Sequence, residues 1–263
     1  LGRWLDSLPA DPAALGATSL GSRGDVLVGE VRNPTVIDEV DAFAFPTGLS
    51  NSSIRLLGDP PGDDPLLAAA QRAFVDSVGA IEEFDAIADA VRAKAGDRPA
   101  DAVGQQRGAF STGLAVAAEM ILGDVGTRVV TVSVAGFDTH SDQLTTHADL
   151  LADLASGLAG FWATLDEAGA SERVLLATTS EFGRRVRENA SGGCDHGAAG
   201  VSFLMGSAID GGLHGTLDTS NLLDGDLQAG IDPRVLFTAC LDWLGGDVER
   251  VLGQRYDDVS LLT

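Results

Sequence analysis

Apolar positions recur at three- and four-residue steps from 65 to about 94: Leu67, Ala70, Phe74, Val78, Ile81 and Ile87. That period predicts a long amphipathic helix, with Asp64 as N-cap and Pro65 as its first residue. A second helix is predicted over 102–122, with Phe110, Leu114, Ala117 and Ile121 on one stripe and Gly123 and Gly126 beyond it. At 127–135 (TRVVTVSVA) the pattern becomes a short run rich in β-branched residues, the mark of a strand covered on both faces. The clearest stripe follows: Leu144, Ala148, Leu151, Ala155, Leu158, Trp162 and Leu165. Ser141 is the expected N-cap of that helix and Gly169 its end. The apolar run at 173–179 (RVLLATT) is the next predicted strand. Strand, helix and strand across 127–179 read as a βαβ unit, with parallel strands and a right-handed crossover.

The flanks are less regular. Residues 1–62 are punctuated by Pro9, Pro12, Pro34, Pro46, Pro60 and Pro61, with one strand candidate at 25–30 (DVLVGE). NSS at 51–53 and GDPPGDDP at 58–65 read as loops, the latter as a boundary. A polar, glycine-rich loop is expected at 183–200 and a third strand at 201–205 (VSFLM). Residues 210–230 are loop-like, with a short strand candidate at 213–217. Asp232 and Pro233 then start a helix that carries Val235, Leu236, Ala239, Leu241 and Trp243 inward, and a last helix spans 247–252.

The chain has 263 residues, long enough for a sizeable core, and is 44% hydrophobic. Its net charge of −22 opposes nucleic acid and anionic membrane surfaces as partners. No apolar run reaches the ~20 residues of a membrane span. The first residues lack the basic start and apolar core of a signal peptide, and with Leu1 in place of an initiator methionine they read as a processed or truncated product. Cys194 and Cys240 allow one disulfide. Cys194 could instead be a thiolate ligand, but without a CxxC partner a bystander is the preferred reading.

Three motifs carry the chemistry: GFDTH at 136–140, SEFGR at 180–184 and CDHG at 194–197. The first two follow predicted strands, at the carboxyl ends where ligands of parallel sheets bind. Carboxylate and imidazole donors converging there suggest a divalent-metal site of Asp138, His140, Glu181, Asp195 and His196. Asp195 could ligate, or could orient His196 from behind. Arg184 offers a forked donor for an anion, or a salt bridge to Glu181. His147 reads as a surface histidine. No GxSxG elbow, P-loop or dinucleotide fingerprint is present.

The run GFDTHSDQ, TTSEFGRRVREN, CDHG, GGLHG and DPRVLFTACLDWLGGD resembles the DUF1501 family over essentially the whole chain, most strongly from 129 to 252. The opening LGRWLDSLPA also looks like an internal segment of that family. The resemblance implies bacterial, often exported proteins of the alkaline phosphatase/sulfatase superfamily. Their fold is an α/β/α sandwich with a mostly parallel sheet and a two-metal site, and they act on phosphate or sulfate esters. It implies zinc first, with calcium, magnesium or manganese as alternatives, and a small anionic ester as substrate. By that likeness Asp138, His140 and His196 hold one metal, with Asp195 beside them and Arg184 on the anion. Glu181 stands where an Asp precedes a His at the second metal; here that His is Phe182. The nucleophile and an early metal-binding Asp would precede Leu1, so the N-terminal part of the fold is expected to be missing, or present as a separate chain. An exported scaffold that keeps the fold without turnover is the alternative. The expected division is an irregular segment at 1–62 and a metal-bearing α/β portion at 63–263.

Overall fold

A computed structural model describes residues 1–8, 14–21, 24–38, 64–95, 105–257 and 259–263. The described chain is mixed α/β and forms two compact units, Leu1–Val134 and Ala135–Thr263. The expected boundary at 62/63 lies outside the described residues, as do Pro9, Pro12, Pro46, Pro60, Pro61 and the NSS at 51–53.

The first unit contains α1 (Gly2–Asp6), β1 (Ala17–Leu20), β2 (Thr35–Ile37), α2 (Pro65–Ala95), α3 (Gln105–Leu122) and β3 (Val129–Val132). Its three strands form a parallel sheet in the order β2-β1-β3, with Leu20 opposite Ile37 and Val132. Asp64 caps α2 as expected, its Oδ1 accepting from Leu66 N at 2.9 Å. Val78, Phe84 and Ile87 of α2 and Phe110, Leu114 and Met120 of α3 are buried. Leu67 and Phe74, on the same expected stripe of α2, are exposed. A Cβ on Gly113 would lie 2.8 Å from Val132, so a small residue lets α3 approach the sheet closely. β3 is half-exposed along its length rather than fully covered.

In this unit one expected strand is absent and two strands lie where none is expected. β1 was not predicted: it has four residues, and its buried Thr18 and Ser19 break the apolar run by which a covered strand is recognised. β2, three residues long, was also not predicted. The strand expected at 25–30 is instead a 3-10 turn at Asp25–Leu27, entered through Gly24 at φ 63°. Beyond it, the Asp6 carboxylate collects the backbone N–H groups of Glu30, Val31 and Arg32, turning the chain where a strand would run on.

The second unit contains α4 (Gln143–Glu167), β4 (Leu176–Ala177), β5 (Gly183–Glu188), β6 (Cys194–Gly197), β7 (Leu204–Met205), α5 (Arg234–Trp243) and α6 (Val248–Leu252). β4 pairs antiparallel with β7, not parallel with β3, and only two residues of the expected 173–179 strand are in the ladder. An apolar run identifies a covered extended segment; it does not say which strand lies beside it. Likewise only 204–205 of the expected 201–205 strand is formed, and none is formed at 213–217.

The expected face of α4 is covered only in its C-terminal half. Leu144, at 89% exposure, and Leu151 stand in solvent. Further along, Leu158 and Trp162 of that stripe are half-buried and its Leu165 is buried, with Phe161 buried and Leu150 and Leu154 half-buried beside it. The N-cap is Asp142, in left-handed conformation, rather than Ser141. The helix starting near Asp232 has its first helical residue at Arg234, one past Pro233, and Asp232 Oδ1 accepts from Arg234 N at 2.9 Å. Asp247 caps α6 through Arg250 N.

The loop expected at 183–200 is an antiparallel hairpin of β5 and β6, pairing Gly183 with Gly197 and Arg184 with His196. Arginine and glycine give it no apolar alternation, so the usual strand signal is missing. Among the described residues these strands form one three-stranded parallel sheet and two two-stranded antiparallel ladders, not a complete α/β/α sandwich. No helix among them is long and apolar enough to cross a membrane.

Candidate metal centre

The hairpin lies against the turn that carries GFDTH, held by main-chain bonds. Cys194 N donates to Thr139 O at 3.0 Å, Asp142 N to Ser191 O at 3.2 Å and Gln143 N to Gly192 O at 2.9 Å. The approach is backbone to backbone. A Cβ on Gly193 would lie 2.1 Å from the His140 carbonyl carbon, and one on Gly197 2.5 Å from that of Arg184. Only glycine fits at either point without moving the chain.

This clamp brings together Asp138, His140 and His196. His196 Nε2 lies 2.8 Å from Asp138 Oδ1, His140 Nε2 lies 3.0 Å from the same oxygen, and the two Nε2 atoms are 3.2 Å apart. A tetrahedral ion with bonds of about 2.0–2.1 Å sets its ligands about 3.3–3.4 Å apart. The triangle is slightly tighter than that, as expected of groups that hydrogen-bond one another. Two imidazole nitrogens and one carboxylate oxygen are a donor set that zinc and its neighbours accept, and three protein ligands leave a coordination position open. The three side chains are 47–55% exposed, so the triangle is reached from solvent.

The surrounding contacts fix these donors. His140 Nδ1 is 3.2 Å from Asp195 Oδ1, so Asp195 stands behind His140, on the ring nitrogen away from the triangle. The expectation that Asp195 orients His196 is therefore corrected, and it does not join the triangle as a ligand. Phe182 stacks on His196 with ring centroids 3.7 Å apart and 10° between planes. The hydrogen bond from His196 holds the Asp138 carboxyl below the usual range, aided by the charges of His140 and Arg184. Asp195 is lowered too, chiefly by the Asn189 amide and then by His140.

Glu181 does not reach this cluster. Its carboxylate is not among the donor atoms that converge there. Arg184 is not an exposed anion contact and does not pair with Glu181. Its guanidinium donates to Asp138 Oδ1 at 2.8 Å, to Phe137 O at 2.7 Å and to Cys194 O, joining the two clamped segments. Its centre also lies 5.2 Å from the Phe182 ring. The Cys194 thiol is buried and donates to Arg185 O; both cysteines are free. Burial pushes the Cys240 thiol up to about 11. His147 is half-buried and meets Phe137 edge to face at 5.8 Å.

Sequence reasoning missed Asn189. Its Nδ2 donates to His140 O and to Asp195 Oδ1, both at 3.0 Å, while its Oδ1 accepts from Ser191 N at 2.9 Å and Gly193 N at 3.0 Å. Its only sequence signal is its place in Asn-Ala-Ser-Gly-Gly, which reads as turn chemistry.

A family model described as "Protein of unknown function (DUF1501)" matches residues 16–259. No curated protein and no solved structure matches the chain.

Proposed function

The chain belongs to the DUF1501 family, and from that premise we propose that it is a metal-dependent hydrolase of phosphate or sulfate esters, related to the alkaline phosphatase/sulfatase superfamily. The observation that carries this reading is the half-exposed triangle of Asp138, His140 and His196. A divalent cation held there, zinc first, would act as a Lewis acid on an ester oxygen. The residues present fit one such ion. Glu181 is outside the triangle, and Phe182 packs its ring on His196 where a second nitrogen donor would be needed.

The chain's own groups divide the work. Asp138, His140 and His196 hold the cation. Asp195 accepts from His140 Nδ1, which leaves Nε2 as the donor to the metal. Arg184 orients Asp138 and ties the GFDTH turn to the hairpin. In a chain of net charge −22, an anionic ester needs local positive charge. The cation itself would be its source.

Protein purified without chelator should retain about one divalent ion per chain. It should hydrolyse members of a panel of aryl phosphates and sulfates, and His196→Ala should lose both properties. Failure to take up zinc or cobalt, even when added, overturns the reading.

A non-catalytic metal-binding or scaffold protein is the second reading. It is favoured by the state of the nearby hydroxyls: Thr139 is buried, Thr178 Oγ1 accepts from Phe203 N and Ser180 Oγ donates to Phe182 O. Tight metal binding without turnover on the whole panel selects it.

A further inference from the structure

We propose that Asn189 is a positioning residue of the metal centre: through Asp195 it sets which nitrogen of His140 faces the cation. The inference rests on the reading of Asp138, His140 and His196 as ligands. The His140 ring touches two acceptors, Asp138 Oδ1 at Nε2 and Asp195 Oδ1 at Nδ1. A histidine can ligate through Nε2 only if its remaining proton sits on Nδ1, and the acceptor at Nδ1 decides that. Asp195 is more than half exposed, and an unrestrained carboxylate there would turn among rotamers. Asn189 removes that freedom. One hydrogen of its amide goes to Asp195 Oδ1, the same oxygen that faces His140, and another goes to the His140 carbonyl. The ring and the main chain of His140 are thus both tied to one amide.

The residue type follows from the count of bonds. The position demands two donors on one side and an acceptor for two N–H groups on the other. A carboxamide supplies both; a carboxylate supplies acceptors alone and a hydroxyl too few donors. Asn189 therefore has two separable roles. Its oxygen closes the hairpin turn through Ser191 and Gly193. Its nitrogen positions Asp195 and, through it, His140.

Asn189→Asp separates the two, because it keeps the accepting oxygen and replaces the donating nitrogen with a carboxylate oxygen that repels Asp195. In the full chain without metal, at pH 8, nitrogen–proton correlation spectra should show a hydrogen-bonded His140 Nδ1–H in the wild type. In Asn189→Asp that proton should be lost to exchange, while the Ser191 and Gly193 amide resonances stay in place. Cobalt titration should show affinity about 10–100-fold weaker in the variant, the usual cost of removing such a supporting contact. A protected Nδ1–H in the variant, or cobalt affinity equal to wild type, overturns the proposal. Displaced Ser191 and Gly193 resonances with a retained Nδ1–H reduce Asn189 to a turn residue and overturn it as well. Failure of the wild type to bind cobalt rejects the metal reading instead, and the Nδ1–H comparison still decides the role of Asn189.

Discussion

Phe84 in α2 is fully buried, whereas the three side chains of the candidate metal centre are about half exposed. Residues 1–134 hold their parallel sheet and long helices with apolar side chains: Leu15, Leu27, Ile37, Phe84, Val116 and Met120 are all essentially inaccessible. Around the centre in 135–263 the ties are of another kind. Main-chain bonds, one arginine fork and one asparagine amide join the GFDTH turn to the hairpin, and glycines let the backbones meet. Apolar burial is tolerant of detail, since cores accept many residues of similar volume. Backbone contact is not tolerant, since a single added methyl has nowhere to go. The difference teaches where each region is vulnerable: the first to lost volume, the second to added volume.

The largest test of that contrast is Phe84→Ala, expected to cost about 3–5 kcal/mol in a urea titration. The cobalt spectrum of the folded variant should keep its shape. A cost under about 1 kcal/mol would break the claim that burial sustains 1–134. Next comes Gly193→Ala, which adds a Cβ at 2.1 Å from the His140 carbonyl carbon. It should cost about 1–3 kcal/mol and also abolish tight cobalt binding. Unchanged cobalt affinity would mean that the clamp is looser than described.

A smaller effect concerns pH. Hydrogen bonds from the Arg234 side chain and backbone lower Asp232 to about 2. A carboxyl depressed on folding contributes stability above its unfolded value near 4 and loses it as pH falls through about 2. Asp232→Asn should therefore narrow its stability gap to wild type between pH 4 and 2, measured by thermal melts. A gap that is constant across that range would sink the assignment. Smallest of all is Leu144→Gln, expected to change stability by less than about 0.5 kcal/mol because Leu144 is 89% exposed. A larger loss would restore the stripe that the sequence pattern favoured.

That stripe marks where the pattern stops informing. The 3.6-residue period disclosed α2, α3 and α4, and cap chemistry placed Asp64 at the start of α2. Yet the predicted stripe of α4 is exposed at Leu144 and Leu151 and buried at Leu165, and where along a helix its apolar face is covered depends on what packs there, which no local pattern encodes. β1 was hidden by its buried Thr18 and Ser19, and the hairpin by its arginines and glycines. At the centre, residue chemistry singled out Asp138, His140 and His196, since few other roles suit an acid and two histidines in glycine-bounded turns. Glu181 lies outside the converging donors. Asn189 went unnoticed because its four hydrogen bonds reach partners on both segments, a geometry that exists only once the chain has folded.

The stacking of Phe182 on His196 has a magnetic consequence. Circulating π electrons shield nuclei held above a ring face, and here the imidazole lies nearly parallel to that face at 3.7 Å. The carbon-bound protons of His196 should resonate well upfield of those of His214, whose ring nitrogen meets only a backbone carbonyl. Among four histidines, one of the two in the cluster thus labels itself. Its resonance gives a direct view of the centre in solution, without any probe attached.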